Sequence, residues 1–101
     1  MSKITTRMKR HVRHVLKDEH PTIWVGKESL TPSLVAEIEK QLQRSKMVKI
    51  KILPAALQGE VTAQTIGLNA AQQTNSALVE VRGHVFILFR TRKTEEEPSQ
   101  P

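Results

Sequence analysis

Residues 77–90 read ALVEVRGHVFILFR. Two apolar runs, Ala77–Arg82 and His84–Arg90, flank Gly83, a pattern that predicts two antiparallel strands joined by a tight turn. In the second run Phe86 and Leu88 point one way and Val85, Ile87 and Phe89 the other. A strand apolar on both faces is expected inside a sheet and not at its edge.

Upstream, MVKIKIL (residues 47–53) alternates strictly. Val48, Ile50 and Ile52 share one face; Lys49 and Lys51 share the other. One buried and one lysine-bearing face suits a sheet covered by helices on one side, or a sheet edge. Pro54 ends the run. In residues 60–75, Val61, Ile66 and Ala70 suggest a helix, although Gly67 falls inside it. Toward the N-terminus, TIWV (22–25) reads as a short strand and Gly26–Leu30 as a loop. Thr31-Pro32 then opens a helix, Thr as N-cap and Pro in the first turn. Leu34, Val35, Ile38 and Leu42 form its core stripe, Glu37, Glu39, Lys40 and Arg44 face outward, and it ends near Ser45.

Residues 3–17 predict an amphipathic helix at about 100° per residue. Ile4, Met8, Val12, Val15 and Leu16 make the apolar stripe. Lys3, Arg10, Arg13, His14 and Lys17 lie opposite, flanked by Arg7 and Lys9, and Pro21 stops the helix. The order helix–strand–helix–strand–helix–strand–strand predicts a single α/β domain over residues 1–90, with helices packed on a mixed four-stranded sheet. The first two strands are expected to be parallel, as are the second and third if they pair; the last two are antiparallel. Residues 91–101 hold no apolar side chain, three Glu and two Pro, and read as a disordered acidic and polar tail.

Charge narrows the partners. The net charge is +6, and it is lopsided: residues 1–53 hold 12 basic and 5 acidic side chains, residues 54–101 hold 4 and 5. A cationic half favours a polyanion, nucleic acid first. With no cysteine, disulfides and zinc–thiolate sites are excluded. No apolar run approaches the ~20 residues of a membrane span, and the basic N-terminus lacks a signal-peptide core, so a soluble cytoplasmic protein is expected. His11 and His14 have helical metal spacing, but nothing is placed to complete a ligand set. No Ser/His/Asp arrangement, Walker loop or spaced carboxylate pair stands out, so neither an enzyme nor a cofactor is expected.

Three features suit a polyanion. The loop WVGKESLTPS offers Gly26 for close backbone approach, Lys27 as a point charge and the free N–H groups of the following helix for an anion. The first helix presents Arg7, Arg10, Arg13, His14 and Lys17 with no acid before Asp18. Lys46, Lys49 and Lys51 either extend this surface or guard a strand against edge pairing. Trp24 opposes Ile23 and Val25; it covers the end of a helix or stacks on an unpaired base.

The strings IWVGKESLTPSLVAEIEKQL, SKMVKIKIL and ALVEVRGHVFILFR, in this order and spacing, resemble the CRM domain family (chloroplast RNA splicing and ribosome maturation), which includes stand-alone YhbY-like proteins. The matching positions are Val25-Gly26-Lys27 with Leu30-Thr31, Glu37-Ile38 with Leu42, Val48-Lys49-Ile50-Lys51, and Arg82-Gly83 with Leu88-Phe89-Arg90. The resemblance covers about residues 7–90 and is weak over 54–76. It implies a fold similar to the C-terminal domain of translation initiation factor three. It also implies RNA binding, with association to large-subunit precursors, and RNA contacts at a GXXG loop, here Gly26 and Lys27. Two departures stand out: Ser29 replaces the second glycine, and Glu28 brings a negative charge. Ser29 can still offer its N–H and hydroxyl but disfavours positive φ.

The function expected is non-catalytic binding of structured ribosomal RNA by a monomer, through Arg7, Arg10, Arg13, His14, Lys17, Trp24, Gly26, Lys27, Ser29, Lys46, Lys49 and Lys51. A DNA-coating protein and a protein-interaction module on the ribosome are the alternatives.

Overall fold

The computed structural model describes residues 5–90; the expected tail, and Lys3 and Ile4 of the expected first helix, lie outside them. The elements are α1 (Thr6–Leu16), β1 (Ile23–Val25), α2 (Pro32–Ser45), β2 (Met47–Ile52), a single 3₁₀ turn (Pro54–Ala56), α3 (Ala63–Gln73), β3 (Ala77–Arg82) and β4 (Val85–Phe89). This is the expected order. Each α-helix starts on a threonine whose side chain accepts an amide three residues on: Thr5 from Met8, Thr31 from Leu34 and Thr62 from Thr65. These caps satisfy one of the amides each helix start leaves without a partner.

The sheet order is β1-β2-β4-β3. β1 and β2 are parallel, and β4 is antiparallel to both β2 and β3. β4 is therefore interior, as its two apolar faces demand. β2 and β3 do not pair, because β4 stands between them. The hairpin turn is Gly83-His84, with Gly83 at φ +60°, as a type II′ turn requires of its first central residue.

Alternation sorts the side chains into two layers. The inner face carries Ile23, Val25, Val48, Ile50, Ile52, Phe86 and Leu88 against Ile38 and Leu42 of α2 and Ile66, Ala70 and Ala71 of α3. Gly67 of α3 faces Leu78 and Phe86 at close range. A Cβ there would lie 3.1 Å from Leu78 Cδ1 and 3.5 Å from Phe86 Cγ, so the residue that weakens the helix by propensity spares the Leu78 side chain a shift of a few tenths of an ångström. Val61, expected in this helix, precedes its cap and is exposed.

The outer face is partly covered as well, so β2 lies in neither of the two settings expected for it, a sheet covered on one side or an edge. α1 lies across it, with Val12 fully buried against Val79 and Ile87, and with Leu16, Met47 and Phe89 around them. β2 consequently has neighbours on both sides and cover on both faces; it is not an edge. Val15, expected in the apolar stripe, is 42 % exposed, because only the line through Val12 meets the sheet. A shift in pairing register between Leu78 and Glu80 marks a β-bulge in β3. The bulge lets Val79 join the α1 cluster and Glu80 meet Arg13, while Val81 still packs against the inner core.

Arg90 ties the inner layer at one end. Its guanidinium grips both carboxylate oxygens of Glu39 at 2.9 Å and donates at 2.7 Å to the carbonyl of Thr74, just past α3. The guanidinium beside Glu39 holds its carboxyl below the ordinary value, against the opposing effect of partial burial. Glu39, expected to face solvent, is thus the α2 half of a clamp.

Candidate nucleic-acid interface

The α1 residues Arg10, Arg13, His14 and Lys17 stand at i, i+3, i+4 and i+7 and so form one stripe. The stripe forms one wall of an open groove of about 450 Å³ between α1 and the outer face of the sheet. The opposite side and floor come from Lys49, Glu80, Arg82, Val85 and Ile87, with Leu16 at the helix. Glu80 is the only carboxylate in this lining. It forms ion pairs with Arg13 (Nε at 3.3 Å) and Arg82 (Nε at 3.4 Å), one carboxylate facing two guanidiniums, which leaves the site cationic.

Strand register extends this surface. Trp24 pairs with Lys51, Lys51 with Val85, and Val85 with Arg82. These four form one row across the outer face, at the end of the sheet where β1 runs into the Gly26 loop. Trp24 is 53 % exposed and lies on the outer face, opposite the layer that holds α2.

The loop itself differs from expectation. Ser29 adopts φ +60°, the conformation a glycine would take freely, although it is not glycine. Its N–H donates to Gly26 O at 2.8 Å, closing the turn, so it is not available to a ligand. The start of α2 is partly spent: Pro32 has no N–H, and the Leu34 and Val35 amides are bonded to Thr31, which leaves the Ser33 amide. Gly26 has no structural reason to be glycine: its φ is not positive, and an added Cβ meets nothing within 4 Å.

The sites singled out in the sequence therefore divide. Arg10, Arg13, His14 and Lys17 share the groove with Arg82, which sequence reasoning missed because the hairpin brings it there. Lys51 and Trp24 lie on the same sheet face, with Gly26 and Lys27 on the loop that continues β1. Arg7 is exposed on α1 outside the groove lining. Lys46 stands apart, at the opposite end of β2, as the left-handed C-cap of α2 (φ +69°). Lys49 faces the groove, but its ammonium donates at 2.9 Å to the carbonyls of Leu16 and Glu19. It caps the end of α1 and pins it to β2. Among the described residues no three His, Asp or Glu side chains gather as a metal site, and no helix is long and apolar enough to cross a membrane.

Gly26 and Lys27 do not line the groove. Residues 4–90 match the model of the CRS1 / YhbY (CRM) domain. The chain belongs to this family. It is 35 % identical over 91 residues to a Methanocaldococcus jannaschii protein named a probable RNA-binding protein. That match takes in 90 % of this chain and 66 % of the relative, so the chain spans just under two thirds of the archaeal protein's length. It is 28 % identical over 90 residues to a Haemophilus influenzae RNA-binding protein, covering 89 % of this chain and 88 % of the relative. The solution structure of a Staphylococcus aureus protein, described as a candidate for RNA binding, superposes with a TM-score of 0.72 at 21 % identity, covering 98 % of this chain and all of that one. At that identity the superposition speaks for the fold.

Proposed function

We propose that this CRM-domain protein is a non-catalytic RNA-binding protein that holds the phosphate backbone of a structured RNA across the α1 groove and the Gly26-Lys27 loop. The observation that carries the reading is the single stripe of Arg10, Arg13, His14 and Lys17 facing Arg82 over one groove. Both curated relatives bear RNA-binding names, and the charge pattern suits a polyanion. The finer target, ribosomal RNA during large-subunit assembly, rests on the family resemblance alone. With one Trp, no Tyr and two Phe that sit within the sheet packing, the protein lacks an aromatic platform for reading a run of bases. Shape and backbone contacts carry most of the affinity.

The test is the salt dependence of binding to a folded RNA, measured by fluorescence anisotropy. Lys27→Ala should weaken binding and reduce the slope of log K against log salt by about one phosphate contact, and Arg10→Ala with Lys17→Ala by about two. Unchanged affinity and slope in both would remove these groups from the interface. Double-stranded DNA competing as well as structured RNA at equal salt would favour a DNA-coating protein. In-cell crosslinking with sequencing of the attached RNA tests the ribosomal target.

A further inference from the structure

A surface that only tracks phosphates needs cations; it does not need an apolar floor. The groove beneath α1 has one. Val85 and Ile87 project from β4 on its outer face, and Leu16 meets them from the helix. Its volume, about 450 Å³, is on the scale of small-ligand sites and exceeds what a phosphate requires. One cation, Lys49, lies on this floor beside Ile87, but its ammonium is turned to the Leu16 and Glu19 carbonyls; the others stand around it. Arg10 and Lys17 stand on the α1 wall and Arg82, with a side chain 85 % exposed, on the β3 side. Apolar floor and cationic rim together match the two halves of one nucleotide: a flat base that leaves water and a phosphate that stays at the mouth.

We infer that the groove takes a single unpaired nucleotide extruded from the bound RNA, its base against Leu16, Val85 and Ile87 and its phosphate on the rim arginines and lysine. This deepens the RNA-binding reading and rests on it. The arrangement is held ready in the free protein. Lys49 ties the end of α1 to β2 through the Leu16 and Glu19 carbonyls, and the Arg13–Glu80 ion pair spans from α1 to β3, so both sides of the groove are set by contacts within the protein. The exposed Trp24, in the same cross-strand row as Val85, gives a neighbouring base a surface to stack on. A continuous duplex offers no base to the floor; a bulge or loop does.

The experiment compares two RNA hairpins that differ by one bulged nucleotide, binding to the wild-type protein and to Val85→Glu. Val85 pairs in register with Lys51 and Arg82, so the new carboxylate meets cations on both sides and the fold has no reason to fail. The bulged hairpin should bind the wild type about tenfold more tightly than the paired one, and Val85→Glu should erase that increment. Equal affinity of the two hairpins for the wild type would overturn the inference and leave RNA binding standing; binding of neither would overturn both. In a second arm, nuclear magnetic resonance follows the Val85, Ile87 and Leu16 methyls. Nucleoside monophosphates should shift them at millimolar concentration and ribose 5-phosphate should not. Equal shifts with the sugar phosphate would mean an anion site only and would overturn the inference.

Discussion

The two faces of this sheet are built to different ends. On the inner face two helices close over seven β side chains that are almost wholly buried. On the outer face one helix touches down through Val12 and leaves a cationic groove beside it. The inner layer supplies most of the burial and with it most of the stability. The outer layer gives up contact area to keep charged side chains at the surface of a shallow site. The small Val12 cluster and the Lys49 cap are what hold α1 where its cations are useful.

The largest effects should separate the faces. Phe86 is fully buried in the inner core, and Phe86→Ala should cost about 3–5 kcal/mol, enough to threaten folding. Val12→Ala removes less volume from the outer cluster and should cost about 1–2 kcal/mol, mostly by loosening α1. Denaturant unfolding measures both. Hydrogen exchange should show α1 amides losing protection in Val12→Ala while α2 and α3 keep theirs. Uniform loss across all three helices would mean that the faces form one cooperative unit.

An intermediate effect concerns the Arg90 clamp. Arg90→Ala leaves Glu39 without its partner and the Thr74 carbonyl without a donor, a loss of about 1–2 kcal/mol at neutral pH after allowing for the solvent that reaches Glu39. Because Arg90 lowers the Glu39 pKa in the folded state, this stabilisation is present above the ordinary value of 4.5 and is lost as pH falls through the lower folded value. The stability gap between wild type and Arg90→Ala should therefore narrow on acidification below about pH 4.5. A gap independent of pH would mean that the Thr74 contact, and not the ion pair, is what Arg90 contributes. RNA affinity measured above pH 6 should not change, since the clamp lies outside the groove.

Inner-face elements were largely legible in the sequence, because their signals are local. Thr31-Pro32 caps α2 where expected, the alternation in VKIKI puts Val48, Ile50 and Ile52 in the core, and the doubly apolar β4 is interior. What escaped depends on contacts between distant residues. Nothing near Lys49 announces that its ammonium caps a helix ending 33 residues earlier. The bulge at Val79 hides in an apparently regular ALVEVR, and it supplies one of the partners on which α1 covers the second face. The candidate site was legible as cations on one helix face. Its walls and floor were not, because Arg82 and Val85 reach it through strand order. Ser29 shows the opposite failure: residue preference argues against positive φ, and the turn imposes it.

The smallest effect on stability, and the sharpest on the comparison, concerns two glycines. At Gly67, on the inner side, a Cβ would press on Leu78 at 3.1 Å, and the fold itself explains the residue. At Gly26, on the outer loop, a Cβ meets nothing and φ is not positive, so the fold explains nothing. Gly26→Ala should leave stability unchanged or raise it by up to about 1 kcal/mol, through the restricted unfolded chain. If the space above Gly26 is where an RNA backbone comes close, the same methyl should weaken RNA binding several-fold without altering the salt slope, since no charge has moved. Full affinity in Gly26→Ala would show that RNA keeps its distance from this loop, confining the interface to the α1 groove. A loss of affinity together with a loss of stability would make Gly26 a second Gly67. Only the split result, a protein as stable as wild type that binds RNA less well, marks a position that the inner core does not need and the outer surface does.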